Sequence, residues 1–200
     1  MIAITGAPLE ALDQVWLAQW NTAAERSQAQ AYQQERALQF LAGRALSRWL
    51  AVTVFKVDRT AVTITRRSSG APVLSCEGEV CSISISHCSG YICTAVAKQG
   101  PIGLDVEAAT REIPRSVVTK FQQGIFAEAR PTELLKRWLL AEAVTKAREG
   151  KLLTTLRESA AELSHSASYF GQDNFTVCCY APNQQNSPVW IDFKQQTDLS

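Results

Sequence analysis

Apolar residues in the first quarter of the chain recur three and four positions apart, the spacing that places side chains on one face of an α-helix. This pattern predicts helices over Leu9–Trp20 and, more clearly, over Glu35–Leu50. Met1–Thr5 precedes them and has the composition of a short strand. The polar stretch Asn21–Gln34 between the two helices fits a helix face or a loop equally well.

After Leu50 the pattern changes from helical to alternating, which is typical of β-strands. Alternation predicts strands in four segments: AVTITR (Ala61–Arg66), VCSISISH (Val80–His87), YICTAVA (Tyr91–Ala97) and IGLDVE (Ile102–Glu107). Only short turns containing glycine separate the last three segments. We therefore expect these three strands to form an antiparallel meander.

The second half of the chain repeats the order of helix and then strands. Ile113–Phe126 predicts a weaker helix, and Glu133–Arg148 predicts the strongest helix of the chain, with Gly150 as its stop signal. Asn174–Tyr180 and Pro188–Phe193 are predicted as closing strands. The pattern predicts an α+β fold and suggests a duplicated α+β unit, although no repeat of individual residues is found.

Composition and charge narrow the function classes. The chain has 200 residues and a formal net charge of +1, which argues against a nucleic-acid or general polyanion binder, so any phosphate recognition must be local. Its apolar runs are too short to cross a membrane, and the N-terminus lacks the pattern of a secretion signal. Six cysteines without a CxxC pair fit free thiols in a reducing compartment. We therefore expect a soluble, cytoplasmic protein.

Two carboxylates two residues apart interrupt the apolar strand IGLDVE. On a strand, Asp105 and Glu107 project from the same face, and Leu104 and Val106 project from the other. Carboxylates held this close repel each other unless a cation lies between them or one is protonated. Magnesium suits such a pair, because it takes one or two protein carboxylates and keeps several waters. For this motif alone, a solvent-exposed strand edge is the commoner explanation.

A second charged pair lies within an apolar helix stripe. On a helical wheel, Glu142 and Lys146 fall in the sector of Leu135, Trp138 and Leu139, and they are four residues apart. A surface pair would lie opposite the apolar stripe, so this pair is expected to line a cleft or to have a buried partner. The alternative is that long side chains reach solvent from the edge of the stripe.

His87 ends the strand whose serines, Ser82, Ser84 and Ser86, alternate with isoleucines. At a strand end before a turn it should be reachable from solvent. Its neighbour Cys88 points to the opposite face of the strand, so a Cys–His dyad of these two residues is not expected.

Five segments in order carry a resemblance to a known family. They are FLAGRAL (Phe40–Leu46), GAP (Gly70–Pro72), SISH (Ser84–His87), GLDVE (Gly103–Glu107) and WLLAEAVTKAREGKL (Trp138–Leu152). Together they resemble the motifs of the 4′-phosphopantetheinyl transferase superfamily, in its single-chain, Sfp-type branch that includes AcpT-like enzymes. Each motif alone is weak, whereas five in this order and spacing are specific.

The resemblance implies a fold and an activity. It implies two similar α+β halves related by a pseudo-twofold duplication, here residues 1–98 and 99–200, with antiparallel sheets and an active-site cleft between them. Such enzymes transfer the 4′-phosphopantetheine arm of coenzyme A to a serine of an apo-acyl or peptidyl carrier protein and release adenosine 3′,5′-bisphosphate. It further implies a holo-[acyl-carrier-protein] synthase type of activity, magnesium dependence and a monomer.

The resemblance also implies residue roles. Asp105 and Glu107 correspond to magnesium ligands, and Glu142 to a third ligand or to the base that accepts the serine proton. Lys146 corresponds to a contact to the pyrophosphate. His87 corresponds to a phosphate contact of coenzyme A, and Arg44 to a contact to its nucleotide end.

Two positions depart from the family pattern. Ala71 stands where the family commonly has a lysine in GKP, and Ala141 stands where KEA is usual. Both changes remove a cation that could contact phosphate. Arg137 and Arg148 lie near Ala141 on the helical wheel and are candidates to compensate.

Two alternatives stay open from the sequence. The chain could be a weakened or inactive relative that binds coenzyme A or a carrier protein without turnover, or a magnesium-dependent phosphohydrolase of another kind. For the carrier, the segment Arg111–Arg130, which mixes basic and apolar residues, is the predicted docking surface. The sequence leaves open which carrier is modified and whether acylated coenzyme A is accepted.

Overall fold

The chain begins with one strand, continues with three helices and then forms four more strands. The computed structural model describes residues 1–182 and 186–194. The elements of the first half are β1 (Ile2–Pro8), a 3₁₀ turn (Leu9–Ala11), α1 (Gln14–Trp20), α2 (Ala23–Ala29), α3 (Gln34–Phe55), a 3₁₀ turn (Arg59–Ala61), β2 (Val62–Arg66), β3 (Pro72–Cys76), β4 (Glu79–Cys88) and β5 (Tyr91–Ala97). The stretch that the sequence left undecided contains α2, which begins with a capping box between Thr22 and Glu25.

In the second half, one strand is followed by four helices and then by the last three strands. Its elements are β6 (Gly103–Ala108), α4 (Arg115–Lys120), a 3₁₀ turn (Pro131–Glu133), α5 (Leu134–Ala147), α6 (Leu152–Thr155), α7 (Ala160–Ser164), β7 (Ala167–Gln172), β8 (Phe175–Tyr180) and β9 (Val189–Trp190). The predicted strong helix is α5, and the predicted helix over Ile113–Phe126 is reduced to the six residues of α4. Strand β7 was not predicted.

The strands form two sheets. A six-stranded sheet has the order β2-β3-β4-β5-β1-β9, and a three-stranded sheet has the order β6-β8-β7. All pairings are antiparallel except that of β9 with β1, which is parallel. The predicted α+β class with antiparallel sheets is confirmed in this coarser form.

The predicted three-strand meander is wrong in its last strand. Strands β4 and β5 form the expected hairpin, but β6 pairs with β8 instead of β5. The edge of β5 opposite β4 pairs with β1, from Ile2↔Ala97 to Pro8↔Tyr91, so β6 cannot pair there. The turn at Gly100 and Pro101 therefore leads the chain into the second sheet.

The apolar residues form successive layers. Leu46 and Leu50 of α3 pack on one face of the six-stranded sheet. The other face packs against the three-stranded sheet, where Leu104 and Val106 of β6 contact Ile2 and Ile4 of β1 and their neighbours. Helix α5 covers the far face of the three-stranded sheet. Strand β6 is thus covered on both faces, and its first four residues, Asp105 among them, are buried.

Gly103 sets the distance between β6 and α5. A Cβ atom at this position would lie 1.8 Å from the carbonyl oxygen of Ala143 and 2.6 Å from the amide nitrogen of Ala147. Both obstacles are helix backbone, which cannot rotate away. Only glycine therefore lets the helix approach the strand that carries Asp105.

The predicted duplication of the chain is not confirmed. Each sheet is covered by one long helix, but the sheets have six and three strands. Strand β9 belongs to the predicted second half, residues 99–200, yet it pairs with β1 of the first. The division at residue 98 stays a prediction, and residues 183–185 and 195–200 lie outside the described part.

Among the helices of the described residues, none is both long and apolar enough to span a bilayer.

We expect Gly103→Ala to destabilise the protein by about 3 kcal/mol, the upper end of overpacking costs, because the backbone of α5 must move. Urea unfolding followed by circular dichroism measures this loss. Gly171→Ala in β7 is the matched control, because nothing lies within 4 Å of its Cβ position. Equal stabilities of the two variants would contradict the assigned role of Gly103.

Candidate functional site

A buried carboxylate and a lysine connect three elements. The Nζ atom of Lys146 on α5 donates hydrogen bonds to Oδ1 of Asp105 at 2.7 Å, to the carbonyl of Leu104 at 3.0 Å and to Oγ of Ser86 at 2.8 Å. Ser86 in turn donates to the same Asp105 oxygen at 2.8 Å. Since Asp105 is only 5% exposed, this network fixes the carboxylate in one orientation.

The second oxygen of that carboxylate has no partner. Oδ2 of Asp105 is buried, and it accepts no hydrogen bond from the described residues. A buried, unsatisfied carboxylate oxygen is costly and uncommon in native proteins. The arrangement therefore leaves one oxygen ready for a cation or a donor from a ligand.

Glu142 lies one helical turn before Lys146. Its pKa is raised, first by burial and then by the negative charge of Asp105. A carboxylate with a raised pKa in a partly closed site can accept a proton near neutral pH. Of the charged pair predicted within the apolar stripe of this helix, Lys146 has a buried partner, Asp105.

Glu107 is engaged differently from Asp105. Its carboxylate forms an ion pair with Arg111, whose guanidinium also lies over the ring of Trp138 at 5.2 Å. Glu107 is thus paired with Arg111 as Asp105 is paired with Lys146. Asp105 differs in that its second oxygen, Oδ2, is buried and has no hydrogen-bond partner among the described residues. In residues 1–182 and 186–194, no group of three or more His, Cys, Asp or Glu side chains is arranged to hold a metal ion.

Magnesium nevertheless fits the donors that are present. Hard oxygen ligands suit this ion, which needs only one or two carboxylates from the protein. Asp105 would hold it through Oδ2, and Glu142 would serve either as its second ligand or as a base. The ion and the role of Glu107 as a ligand stay predictions.

His87 lies at the end of β4 on the side facing α3. Its Nε2 atom is 3.3 Å from the guanidinium of Arg36. The pKa of His87 is lowered, first by desolvation and then by the positive charges of Arg36 and Lys146. The imidazole is therefore neutral at pH 7, beside a cation that can bind an anion. Burial raises the pKa of Cys88 to about 11, so this thiol stays protonated at neutral pH.

Ser84 and Ser86 are site residues that sequence reasoning missed. Ser86 holds Asp105 and Lys146, and Oγ of Ser84 accepts a hydrogen bond from the amide of Leu104 at 2.9 Å. Both serines are buried. The alternation of serine with isoleucine was the available signal, because a polar face on a buried strand needs partners.

Arg44 lies in a separate cluster. It is 4% exposed, donates to the carbonyl of Ile64 on β2, stacks over Phe40 at 5.2 Å and lies 3.9 Å from the carboxylate of Glu25. It thus covers the outer edge of β2 and does not join Asp105 and Lys146. Its contact to a nucleotide stays a prediction.

A cleft of about 770 Å³ begins at Lys146. It opens because β3 and β4 pair only from Leu74↔Cys81 to Cys76↔Glu79 and then diverge. Its residues are Arg67, Ser69, Ala71, Pro72, Val73, Val80, Cys81, Ser82, Ile83, Ser84, Ile85, Lys98, Gln99, Gly100, Pro101, Ile102, Thr145, Lys146, Ala147, Glu149 and Gly150. Three of them are cations and one is an acid, so the cleft favours anionic ligands.

An exposed ion pair joins the loop after β2 to the end of α5. Glu149 lies 3.3 Å from the guanidinium of Arg67 and accepts a hydrogen bond from Ser69 at 3.3 Å. The loop also contains Ala71, the position that lacks the family's lysine. Arg67 is therefore the cation that this loop contributes to the cleft, and it is paired with Glu149.

Arg137 and Arg148 were predicted to replace the phosphate-contacting cation that is missing at Ala141, but their positions do not fit this role. Ala141 is fully buried in the core around α5, so a cation there would not face the cleft. Arg148 is paired with Glu158 at 2.8 Å. Neither Arg137 nor Arg148 lines the cleft.

In the predicted docking segment, the apolar residues face inward. Phe121 and Phe126 are buried in the core around α5, and Val117 and Val118 pack against it. Arg115 and Lys120 are left exposed. The exposed residues of this segment also include the acids Glu112 and Glu128, so its outer surface carries both signs of charge. Carrier docking there stays a prediction.

Comparisons with known proteins found a likeness among solved structures. No protein-family model matches the chain, and no curated protein matches it. Among solved structures, the chain is similar to the Helicobacter pylori holo-[acyl-carrier-protein] synthase (AcpS), determined in complex with coenzyme A. The match has 15% sequence identity and a TM-score of 0.40, and it covers 48% of this chain and 98% of that chain.

We expect Glu142→Gln to raise the thermal midpoint at pH 7 to 8. Because the folded-state pKa of Glu142 is raised, the fold favours its protonated form, and stability is lost as the pH rises through that pKa. Glutamine does not titrate and avoids this loss, so the two midpoints should converge below about pH 4, where unfolded glutamate is protonated too. Calorimetry across pH 3.5 to 8 measures the difference.

Glu133→Gln provides a control of opposite sign. Hydrogen bonds from Arg130 lower the pKa of Glu133 to about 2, so its contribution is present above the unfolded pKa and lost at low pH. This variant should be neutral or slightly destabilised at pH 7. A gain there equal to that of Glu142→Gln would contradict the assignment.

We expect Glu149→Gln to tighten pyrophosphate binding about threefold to tenfold, because Arg67 is released and a repelling charge is removed. Isothermal titration calorimetry measures this change. Glu158→Gln removes the same charge from a nearby pair outside the cleft and should bind pyrophosphate like the wild type. Equal gains in both variants would indicate a general charge effect.

Proposed function

We propose that this chain transfers the 4′-phosphopantetheine arm of coenzyme A to a serine of an apo-carrier protein. This is the activity of the superfamily that its five ordered motifs resemble. The acceptor would be an acyl or peptidyl carrier protein, as for a holo-[acyl-carrier-protein] synthase. The proposal includes magnesium dependence, action as a monomer and a cytoplasmic location.

The orientation of Asp105 carries the proposal. One oxygen is held by Lys146 and Ser86, while the other is buried and has no hydrogen-bond partner among the described residues. The negative charge of Asp105 also contributes to the raised pKa of Glu142. A carboxylate used only for structure would have both oxygens satisfied. This pattern supports a site that is completed by a bound cation and its phosphate ligand.

The surrounding charges support an anionic substrate. Arg67, Lys98 and Lys146 line the cleft, and Arg36 lies beside the neutral His87. A pyrophosphate linking two organic groups requires several separated cations of this kind. The near-neutral charge of the whole chain is consistent with this local recognition.

The residues suggest how the transfer would proceed. The carrier serine hydroxyl attacks the phosphorus that bears the pantetheine arm, and the bond from that phosphorus to the bridging oxygen breaks. Glu142 accepts the hydroxyl proton, for which its raised pKa is suited. The ammonium group of Lys146 stabilises negative charge as adenosine 3′,5′-bisphosphate leaves. Magnesium, when bound by Asp105, would supply further neutralisation of phosphate charge.

A coenzyme A or carrier-binding module without turnover is the second candidate. The observation that favours it is the ion pair of Glu107 with Arg111, which engages one of the three predicted metal ligands. The lack of a lysine at Ala71 points the same way. Both candidates predict binding of coenzyme A, and only the first predicts transfer.

The deciding experiment incubates the protein with coenzyme A, magnesium and a panel of apo-carrier proteins. Mass spectrometry should detect the phosphopantetheine arm on at least one carrier serine. Asp105→Asn and Glu142→Gln should each lower kcat/KM by about 100-fold or more, because each removes a group that acts on the reacting atoms. Asp105→Asn should also raise the magnesium concentration required for half-maximal rate.

Glu162→Gln, an exposed acid on α7, is the control and should transfer like the wild type. Circular dichroism of each variant separates lost activity from lost fold. Retained coenzyme A binding without transfer to any carrier would favour the binding module. Full activity of Asp105→Asn at limiting magnesium would refute its role as a ligand.

A further inference from the structure

The cleft contains a strand edge that no other strand covers. Strand β4 pairs with β3 only as far as Cys81, whereas it pairs with β5 from Ser82 to Cys88. From Ser82 onward, the edge facing β3 therefore has no strand partner among the described residues. A strand edge of this kind presents a row of amide and carbonyl groups for pairing with an extended chain.

The divergence of the two strands is held in place from both sides. Strand β3 continues its pairing with β2 as far as Arg66↔Pro72, and β4 stays with β5. In continued register, Pro72 would stand opposite Ile83, and proline has no amide hydrogen to donate. The gap is thus part of the sheet and lies directly on the cleft, which Pro72, Val73, Ile83 and Ser84 line.

The chemistry along this edge changes from apolar to cationic. Val73, Ile83 and Pro101 provide apolar surface beside the strand backbone, and Lys146 lies on the same cleft next to Asp105. Arg67 and Lys98 add positive charge elsewhere on its wall. A matching ligand is extended, carries secondary amides between short apolar segments and ends in a phosphate.

We propose that the open edge of β4 from Ser82 to Ile85 binds the amide-bearing arm of coenzyme A as an additional strand. The two secondary amides of the arm exchange hydrogen bonds with the strand backbone, and its methylene groups lie against Val73 and Ile83. The phosphate end then lies towards Lys146. This inference rests on the proposed function, because it specifies how that site holds its substrate.

Hydrogen exchange measured by NMR tests the pairing directly. With saturating coenzyme A or pantetheine 4′-phosphate, amide exchange within residues 82–85 should slow about threefold to tenfold, the effect of one net hydrogen bond. Adenosine 3′,5′-bisphosphate, which lacks the arm, should leave these amides unchanged. Strand β7, an edge of the other sheet outside the cleft, is the internal control.

A variant that fills the gap between β3 and β4 and a modified ligand provide independent tests. Val73→Trp should weaken binding of pantetheine 4′-phosphate about tenfold while leaving adenosine 3′,5′-bisphosphate binding nearly unchanged. Val15→Trp, at an exposed valine on α1, is the matched control. An analogue with esters in place of both amides should also bind less tightly, since it cannot donate to the strand.

The outcomes separate this inference from the proposed function. Protection of residues 82–85 without transfer to any carrier would support the inference and count against the enzyme. Transfer without that protection, or equal protection by the bisphosphate, would overturn the inference and leave the enzyme standing. Failure of coenzyme A and pantetheine 4′-phosphate to bind would overturn both.

Discussion

The ion pair between the buried Asp105 and the partly exposed Lys146 is the interaction on which the site depends. It joins β6 to α5, and Ser86 extends it to β4, so the two sheets and the second long helix meet at one carboxylate. Breaking a buried pair leaves an uncompensated charge, which is strongly destabilising. The network also orients Asp105 so that one oxygen remains for another ligand. Asp105 thus both links the packed elements through Oδ1 and presents Oδ2 to the site.

Close backbone approach makes this contact possible. Without a side chain at Gly103, α5 lies against β6, and Lys146 reaches the carbonyl of Leu104 and the carboxylate beyond it. The apolar residues of β6 meanwhile pack against the first sheet. Four consecutive residues of β6 therefore have three roles. Gly103 allows the close approach of α5, Asp105 forms the ion pair with Lys146, and Leu104 and Val106 belong to the core between the sheets.

The divergence of β3 and β4 gives the molecule its cleft. A continuous pairing of these strands would have filled the space with backbone hydrogen bonds and left only a surface. The gap instead places a strand edge, apolar side chains and three cations on one cavity. The ion pair between Arg67 and Glu149 spans part of it, so a ligand's phosphate must compete with a carboxylate of the protein for that arginine.

The sequence by itself determined the local elements and the chemical character of the site. Periodicity located the main helices and most strands, and the charged pair within an apolar stripe marked Glu142 and Lys146 as facing a buried partner. Tertiary structure decided which strand neighbours which: β6 left the hairpin because β1 already occupied the edge of β5, a long-range pairing without a local signal. It also decided that Ser86 holds Asp105, that Arg44 joins Glu25, and that Ala141 faces the core. Periodicity specifies the face on which a side chain lies, and only the packing of distant segments specifies what that face meets.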